Sequence, residues 1–279
     1  MKRQKNVLAV ILAALLCISF SACRKQENHM EFSLNADGES YTLVYYTDTT
    51  SVKTLTVPDL FDGKPVTSIG RLAVSAADTL ETIVIGKNIA QIDDWGITGC
   101  LHLKAFQVAE GNTHFKAIDG VLFTMDGKTL VAYPNALNAV YSADGALKQK
   151  ASYAVPQGVE ILSKCAFYKC YALESVSLPD SVKLIGERAF HKCENLKEIN
   201  FPEGLLTIEF DAFIGCTGLT KVELPSTLTE IGDFAFYNAS NIKELKIHAD
   251  RNNVLLGKKW EPSATGRPTD TQIIWTREN

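Results

Sequence analysis

One interval of 23 residues recurs through the second half of the chain and constrains its fold more than any other feature. Four kinds of residue keep this interval: a proline, an Ala-Phe dipeptide, a cysteine and a leucine. Their positions are Pro156, Pro179, Pro202 and Pro225; Ala166-Phe167, Ala189-Phe190, Ala212-Phe213 and Ala235-Phe236; Cys170, Cys193 and Cys216; and Leu173, Leu196, Leu219 and Ile242. Such a chain folds as stacked copies of one unit, each contacting mainly its neighbours.

A single repeat reads LxxVxLPxxVxxIGxxAFxxC, as in Leu173–Cys193. Its first part alternates, which predicts a short strand with Leu and Val turned inward. Proline ends the strand because it has no N–H for the ladder. The IGxxAFxxC part predicts a tight turn followed by about one helical turn. We therefore expect an α/β-type repeat solenoid of short strands plus one helical turn per rung. One set of residues is expected to stack as an aromatic ladder: Phe167, Phe190, Phe213 and Phe236.

The frame extends towards the N-terminus in weaker form, so we predict a leucine-rich-repeat solenoid over residues 58–247, with about six to eight rungs. It is interrupted at about residues 109–134. The pairs Asp119-Gly120 and Asp126-Gly127 are turn signals between β-rich runs there. This pattern predicts a hairpin insertion.

Both ends of a solenoid need capping, since each end would otherwise expose the core. Residues 31–57 are typical of hairpin strands turning at Asp37-Gly38 and predict a β-rich N-terminal cap. Residues 248–279 break the period and are interpreted as a C-terminal cap. The tryptophans in that segment are expected to pack into the cap.

The N-terminus has the pattern of an export signal. Lys2, Arg3 and Lys5 precede an uncharged stretch from Val7 to Phe20. A basic region followed by a short apolar run is typical of a secretory signal peptide, whereas a membrane-spanning helix needs about 20 apolar residues. We interpret residues 1–22 as a signal peptide.

The apolar run ends in Phe20-Ser21-Ala22-Cys23, which resembles a bacterial lipobox with Phe in place of the usual Leu. Cys23 is therefore the predicted lipid attachment site, and polar residues 23–30 a tether. The resemblance implies a lipid-anchored protein of the cell envelope, placed in the outer membrane and exposed at the surface, with the periplasmic face as the alternative. An ordinary secretory signal with a chance cysteine remains the competing interpretation.

The repeat resembles the leucine-rich repeat of BspA-like bacterial surface proteins over roughly residues 55–247. The segment GNxxFxxxDGVLF, from Gly111 to Phe123, is also similar to a segment of that family. Family members are typically exported, and several are implicated in adhesion to host proteins or other cells. The resemblance implies such a role here. The asparagine ladder of other leucine-rich repeats is absent, so their ligands do not transfer.

The cysteines do not indicate a metal site or a disulfide framework. Cys100, Cys170, Cys193 and Cys216 share one repeat position and are expected to be small buried apolar residues. Their Cβ vectors would run parallel, which disfavours bridges between rungs, although a local Cys165–Cys170 pair stays open. No Cys or His cluster has the spacing of a zinc site.

The sequence predicts neither an enzyme nor a cofactor protein. It has no GxSxG, P-loop or HExxH motif, and its five histidines fall at unrelated repeat positions. The formal net charge of −4 gives no basic field for nucleic acid. We therefore expect no catalytic residues, no metal, no small-molecule cofactor and no nucleic-acid partner.

The concave face of the strands is the default binding surface of a solenoid. Strand alternation predicts which side chains face outwards, and those nearer the N-terminus are small and weakly polar. They are Thr82, Val84, Ala105, Gln107, Ser152, Ala154, Ser175 and Ser177. The last three rungs are more polar and are the candidate ligand-binding residues: Glu198, Asn200, Lys221, Glu223, Glu244 and Lys246.

Two functions follow as hypotheses. The first is a non-enzymatic module that binds extracellular proteins or glycans, including adhesion to host or other cells. The second is a structural or assembly scaffold for other envelope proteins. In both, the lipid anchor makes the membrane a partner.

Overall fold

The computed structural model describes residues 24–27, 29–47, 52–141, 147–264 and 267–277. The predicted signal peptide and the predicted lipid attachment site Cys23 lie outside the described residues. The described residues form a β-solenoid with a period of about 23 residues, matching the interval in the sequence.

The strands are short and follow one another in chain order. The N-terminal set is β1 Arg24–Glu27, β2 Met30–Leu34, β3 Tyr41–Tyr46, β4 Thr54–Thr56, β5 Leu60–Phe61, β6 Lys64–Ile69, β7 Val74–Ser75, β8 Thr82–Ile85, β9 Gln91–Ile92, β10 Ile97–Thr98 and β11 Ala105–Val108. The middle set is β12 Phe115–Ile118, β13 Val121–Thr124, β14 Thr129–Ala132, β15 Val140–Tyr141, β16 Leu147–Gln149, β17 Ala151–Ala154, β18 Ile161–Leu162, β19 Leu173–Ser177 and β20 Leu184–Ile185. The C-terminal set is β21 Glu198–Ile199, β22 Thr207–Ile208, β23 Lys221–Leu224, β24 Glu230–Ile231, β25 Glu244–Asp250, β26 Leu255–Leu256, β27 Ser263–Ala264, β28 Arg267–Pro268 and β29 Gln272–Arg277.

Two parallel ladders organise the rungs. On the first side, the LxxVxL strands pair in three separate groups, β4-β8-β11, β17-β19-β21 and β23-β25-β29. On the second side, β14, β18, β20, β22, β24 and β26 pair in one run. Ile161, Leu184, Thr207 and Glu230 are successive partners in that run. The repeat therefore sets the register of both ladders.

The predicted helical turn in each rung, and with it the α/β class, is wrong. The IGxxAFxxC segment is a run of turns whose amides alternate in direction. The N–H groups of Cys165, Phe167 and Lys169 donate to carbonyls of the next rung, whereas the N–H groups between them donate three residues back along the chain. An α-helix needs every amide to point along its own axis. Left-handed φ values at Cys165 and Lys169, 59° and 57°, reverse the chain direction instead.

Only one helix is found among the described residues, the 3₁₀ helix Arg251–Asn253, and it lies after the repeats. The described residues contain no helix long and apolar enough to cross a membrane.

The hairpin insertion joins two hydrophobic cores. One core extends from Met30 to Leu122, and the other from Val121 to Trp260. Strands β12 and β13 form an antiparallel hairpin around Asp119-Gly120, and β13 is buried on both of its faces. Leu122 belongs to the first core, whereas Val121 and Phe123 belong to the second. The hairpin is thus part of the packing between the two halves of the solenoid.

The N-terminal segment pairs differently from the repeats. Strands β2 and β3 are antiparallel around a turn in which Gly38 has φ 69°. The strand β3 then pairs in parallel with β6, so this segment joins the solenoid by backbone hydrogen bonds.

The C-terminal segment loses the 23-residue interval but continues the ladders. Strand β26 pairs in parallel with β24, and β29 with β25. The Phe236 N–H donates to the carbonyl of Trp260, as earlier rungs donate to their successors. Trp260 is buried and packs edge-on against Trp275. These residues close the core with one further, irregular rung.

The predicted aromatic ladder is confirmed. Phe167, Phe190, Phe213 and Phe236 are completely buried. Successive ring centroids are 4.7, 5.1 and 5.2 Å apart, and the planes are within 7° of parallel. The stack forms because one side-chain position recurs at each rung of a parallel solenoid.

The expectation of buried cysteines is also confirmed. All five described cysteines are buried free thiols, including Cys165 and Cys170, which do not bridge. The thiols of Cys193 and Cys216 each donate to a carbonyl of the preceding rung, Phe167 and Phe190, at 3.0 Å. Burial raises the pKa of Cys165 to about 12 and those of Cys170 and Cys216 well above the ordinary value.

We expect these thiols to resist alkylation in the folded protein, because the thiolate is the reactive form and burial excludes the reagent. A colorimetric thiol reagent at about pH 8 should label none of the five in native protein and all five in concentrated guanidinium chloride. Rapid labelling of a thiol in the native protein would show that the reagent can reach it and that it is not buried.

Candidate functional site

All six candidate residues lie on the outer surface of the first ladder. Glu198 and Asn200 are exposed on and just after β21, and Ser175 of β19 is the partner of Glu198 in register. Lys221 and Glu223 lie on β23. The remaining two, Glu244 and Lys246, are their partners on β25. The structure thus brings the six together as two adjacent groups on neighbouring sheets.

The group on β23 and β25 is largely neutralised by its own ion pairs. Lys221 Nζ lies 3.0 Å from Glu244, and Lys246 Nζ lies 3.3 Å from Glu223. His248 Nε2 is 2.6 Å from the same Glu223 carboxylate. Hydrogen bonds from His248 and Lys246 lower the pKa of Glu223. The hydrogen bond of Lys221 to Glu244 raises the pKa of Lys221. Exposed pairs of this kind contribute little stability, but they reduce the charge available to a ligand.

Asn200 has a structural contact that alternation does not reveal. Its Oδ1 accepts from the Leu178 N–H at 2.7 Å, and its Nδ2 donates to the Leu178 carbonyl at 2.8 Å. The side chain therefore occupies both backbone groups of Leu178. Strand β21 ends at Ile199, and β21 and β23 lie in separate sheets.

A groove of about 1180 Å³ lies at this interruption. Its floor includes Tyr153 and Phe201, which are only partly buried. Their positions in the repeat predict inward-facing side chains, so strand alternation alone does not reveal them as surface aromatics. Groove residues with aliphatic hydroxyl groups are Ser152, Ser175, Ser177 and Thr220. Ser175 donates to Ser152 at 2.7 Å.

Glu198 differs from the other charged residues of the groove. Lys197 pairs with Glu174 at 2.9 Å, and the pairs of Lys221 and Glu223 are given above. Among the residues that the structure describes, no cation lies within 4.0 Å of the Glu198 carboxylate. The Glu174 carboxylate also lies 3.4 Å from Lys150, so it is shared by two lysines. Glu198 is the one carboxylate of the described groove lining without an ion pair.

The hairpin insertion contacts the floor of the groove through Tyr133, whose ring centroid lies 4.9 Å from that of Tyr153. Asp119 at its tip is exposed, and its carboxylate acts together with burial to raise the pKa of Tyr153, burial being the larger cause. Phe115, Phe123 and Tyr133 of the insertion are buried, whereas Met125 is 40% exposed. The insertion therefore contributes mainly to the core and adds one acidic tip to the concave side.

A separate cluster around Arg188, on the turn side of the solenoid, has its charges paired within the protein. The Arg188 guanidinium lies 4.5 Å from the Trp95 ring centroid and 4.9 Å from that of Phe210. It also binds Asp211 and Glu187, each at 2.8 Å. Trp95 belongs to an N-terminal rung, so this cluster connects the two halves of the solenoid.

His191 stacks on Tyr168 in the same region, with centroids 4.9 Å apart. Burial, with smaller effects of Arg188, Lys192 and Lys169, lowers the pKa of His191 to about 4. In the unfolded chain the pKa is about 6.5, so the unfolded state takes up a proton first as the pH falls.

We therefore expect the contribution of His191 to the free energy of unfolding to be fully present above about pH 6.5 and to be lost as the pH falls towards 4. Urea unfolding of wild type and His191→Phe at about pH 7 and pH 5 measures this effect, because phenylalanine keeps the stack but does not titrate. An equal loss in both proteins would assign the pH dependence to other groups.

The described residues contain no group of three or more His, Cys, Asp or Glu side chains that could hold a metal ion.

Comparisons with known proteins agree with this architecture. A family model described as a BspA type leucine-rich repeat region, in 6 copies, matches residues 20–142 and 148–255. A leucine-rich cell surface protein from Faecalibacterium prausnitzii is 17% identical with a TM-score of 0.54, over 91% of this chain and 95% of that one. The pneumococcal vaccine antigen PcpA is 18% identical with a TM-score of 0.50, over 91% of this chain and 93% of that one. At these identities, the two structures support the fold alone. No curated protein matches the chain.

Proposed function

This chain belongs to the BspA-type leucine-rich repeat family, and we propose that it is a non-enzymatic protein-binding module displayed at the cell envelope. The observation that carries this proposal is the groove of about 1180 Å³ on the concave side. It combines partly exposed aromatic rings, hydroxyl groups and an unpaired carboxylate. Aromatic rings are enriched at protein-binding surfaces, and hydroxyl groups can bind the backbone of a partner.

A binding assay on the full-length protein tests this function. It is presented to arrays of host matrix proteins, glycans and extracted envelope proteins. Ser177→Trp fills the groove without changing charge, and Thr229→Trp places the same ring at an exposed residue just before β24, outside the groove, as a matched control. We expect partner binding to be lost in Ser177→Trp and kept in Thr229→Trp.

The kind of partner separates the two proposed roles. Retention of matrix proteins or glycans supports adhesion, whereas retention of envelope proteins alone supports a scaffold. Equal binding by Ser177→Trp and wild type would show that the groove is not the binding surface.

We propose further that a lipid on Cys23 tethers the module to the membrane, directly before β1, which pairs with β2. Acyl chains bind a bilayer by about 0.8 kcal/mol per buried methylene, and more than one chain is needed for stable anchoring. The composition of the tether and an overall net charge of −4 offer little electrostatic attraction to anionic lipid.

Cys23→Ala is expected to move the protein from the membrane fraction to the soluble fraction, because the attachment atom is removed. Cell fractionation with immunodetection measures this, and a shift in mass from metabolic labelling with a fatty acid reports the lipid itself. Cys17→Ala is the matched control within the leader. Continued membrane association without label would contradict lipid anchoring.

A further inference from the structure

The groove on the concave side has one exposed carboxylate, that of Glu198, without an ion pair, and this carboxylate identifies the partner more closely. We infer that it binds an extended protein segment in which a lysine or arginine stands next to an apolar side chain. This inference rests on the proposed binding function and names the chemistry of the partner.

The charge argument starts from Lys221, which is one repeat from two glutamates. Glu198 precedes it by 23 residues and Glu244 follows it by 23. Because β23 is hydrogen-bonded to β25 and lies in a different sheet from β21, the lysine binds Glu244 at 3.0 Å. Glu198 is exposed and has no ion pair at the interruption between the sheets, where water and a partner can reach it.

The surroundings of Glu198 favour a partner that also has an apolar group. Ile199 and Phe201 are partly buried and line the groove beside it. Tyr153, Val176 and Ile199 are partners across three adjacent strands, so the apolar floor extends about 10 Å from the carboxylate. The aliphatic stem of a lysine or arginine and its neighbouring side chain can cover this floor while the cation meets Glu198.

The rim of the groove suits an extended backbone. Ser152, Ser175 and Ser177 present hydroxyl groups on two adjacent strands, and hydroxyls both donate and accept hydrogen bonds. Lys197 and Lys221 of the groove lining are already in ion pairs with glutamates, whereas Glu198 is not, so the charge pattern favours a basic peptide over nucleic acid or an anionic lipid surface.

The test is a selection with a library of random peptides of about twelve residues, roughly 40 Å long when extended, on the immobilised full-length protein. We expect the retained peptides to be enriched in Lys or Arg adjacent to an aromatic or aliphatic residue. Glu198→Gln, which keeps the shape of the side chain, should weaken their binding about tenfold, or about 1.4 kcal/mol. Glu194→Gln removes an exposed carboxylate outside the groove and should leave binding unchanged.

Salt provides an independent readout, because an ion pair is screened. Binding by wild type should weaken as sodium chloride increases, whereas binding by Glu198→Gln should depend on salt much less. Glu198→Lys should abolish binding of the basic peptides.

The possible failures are distinguishable. Retained peptides without an excess of Lys or Arg that no longer bind the Ser177→Trp variant would contradict the inference of a basic partner segment. They would still support binding in the groove. Equal affinity of wild type and Glu198→Gln for basic peptides would also contradict the inference of a basic segment. Peptides that bind Ser177→Trp as well as wild type, or a library from which nothing is retained, would contradict both the basic segment and the groove.

Discussion

Replacing Phe190 with alanine is expected to lower the free energy of unfolding by about 3–5 kcal/mol, the range for truncating a core aromatic residue. Its ring is 0% exposed and stacks on Phe167 and Phe213 at 4.7 and 5.1 Å. Removing it opens a cavity in the middle of the stack, where the rungs on both sides are held in register by backbone hydrogen bonds and cannot close the gap. Urea or thermal unfolding monitored by circular dichroism measures the loss.

Two matched variants separate the cavity from the stacking. Phe190→Leu keeps most of the apolar volume and should cost less than the alanine variant. Phe210→Ala removes a phenylalanine that is only partly buried on the turn side of the next rung, and should also cost less. A loss below about 1 kcal/mol for Phe190→Ala would contradict the role of the stack.

Asn112→Ala is expected to cost about 3 kcal/mol or more, because it leaves several buried backbone groups without partners. The Asn112 side chain is 6% exposed. Its Nδ2 donates to the carbonyls of Gly86 and Ile89, both at 2.9 Å. Its Oδ1 accepts from the N–H groups of His114 and Phe115, both at 2.8 Å. The side chain thus ties the start of the hairpin insertion to the preceding rung.

The loss of the Asn112 side chain is expected to affect the stability of both halves of the solenoid. Strand β13 of the hairpin contributes to both hydrophobic cores, so loosening the hairpin weakens the packing between the two halves of the solenoid. We therefore expect a lower unfolding midpoint together with a broader transition, as cooperativity between the halves decreases.

Asn112→Asp is the informative control for this prediction. A carboxylate can still accept from the two N–H groups, but it cannot donate to the two carbonyls and would face them with a negative charge. It should rescue little of the lost stability. Stability close to wild type in either variant would show that the four hydrogen bonds are not needed. Thr113→Ala, at the exposed neighbouring residue, should change stability by less than about 0.5 kcal/mol.

The exact period predicted the parts of the fold that repeat. A residue that recurs every 23 positions must occupy the same place in each rung, so the Phe stack and the buried cysteines followed directly. The helical turn predicted from the same repeat was wrong. Ile185, Ala189 and Cys193 have the spacing of a helical face, but their segment uses alternate amides to bind the neighbouring rung. Side-chain periodicity reports which residues are buried and cannot report where backbone amides point.

The irregular segments were harder to interpret. The sequence marks Asn112 only as part of a motif, and two of its four hydrogen bonds go to carbonyls that lie more than twenty residues earlier in the chain. After residue 247 the period disappears, yet Trp260 and β29 continue the ladders with a longer interval. Backbone pairing tolerates an added loop, whereas a residue pattern with a fixed interval does not detect it.

The sequence by itself determined that the chain stacks as a solenoid, which side chains face inward and which six polar residues line the outer surface of the last rungs. Only the tertiary structure decided how those residues are paired. Lys221 stands one period from both Glu198 and Glu244, and the sequence treats the two as equivalent. The lysine binds Glu244 because β23 shares a sheet with β25 and not with β21, where Asn200 occupies the backbone of Leu178. An unpaired carboxylate beside a groove is the result, since ion pairing depends on which strands are joined by hydrogen bonds.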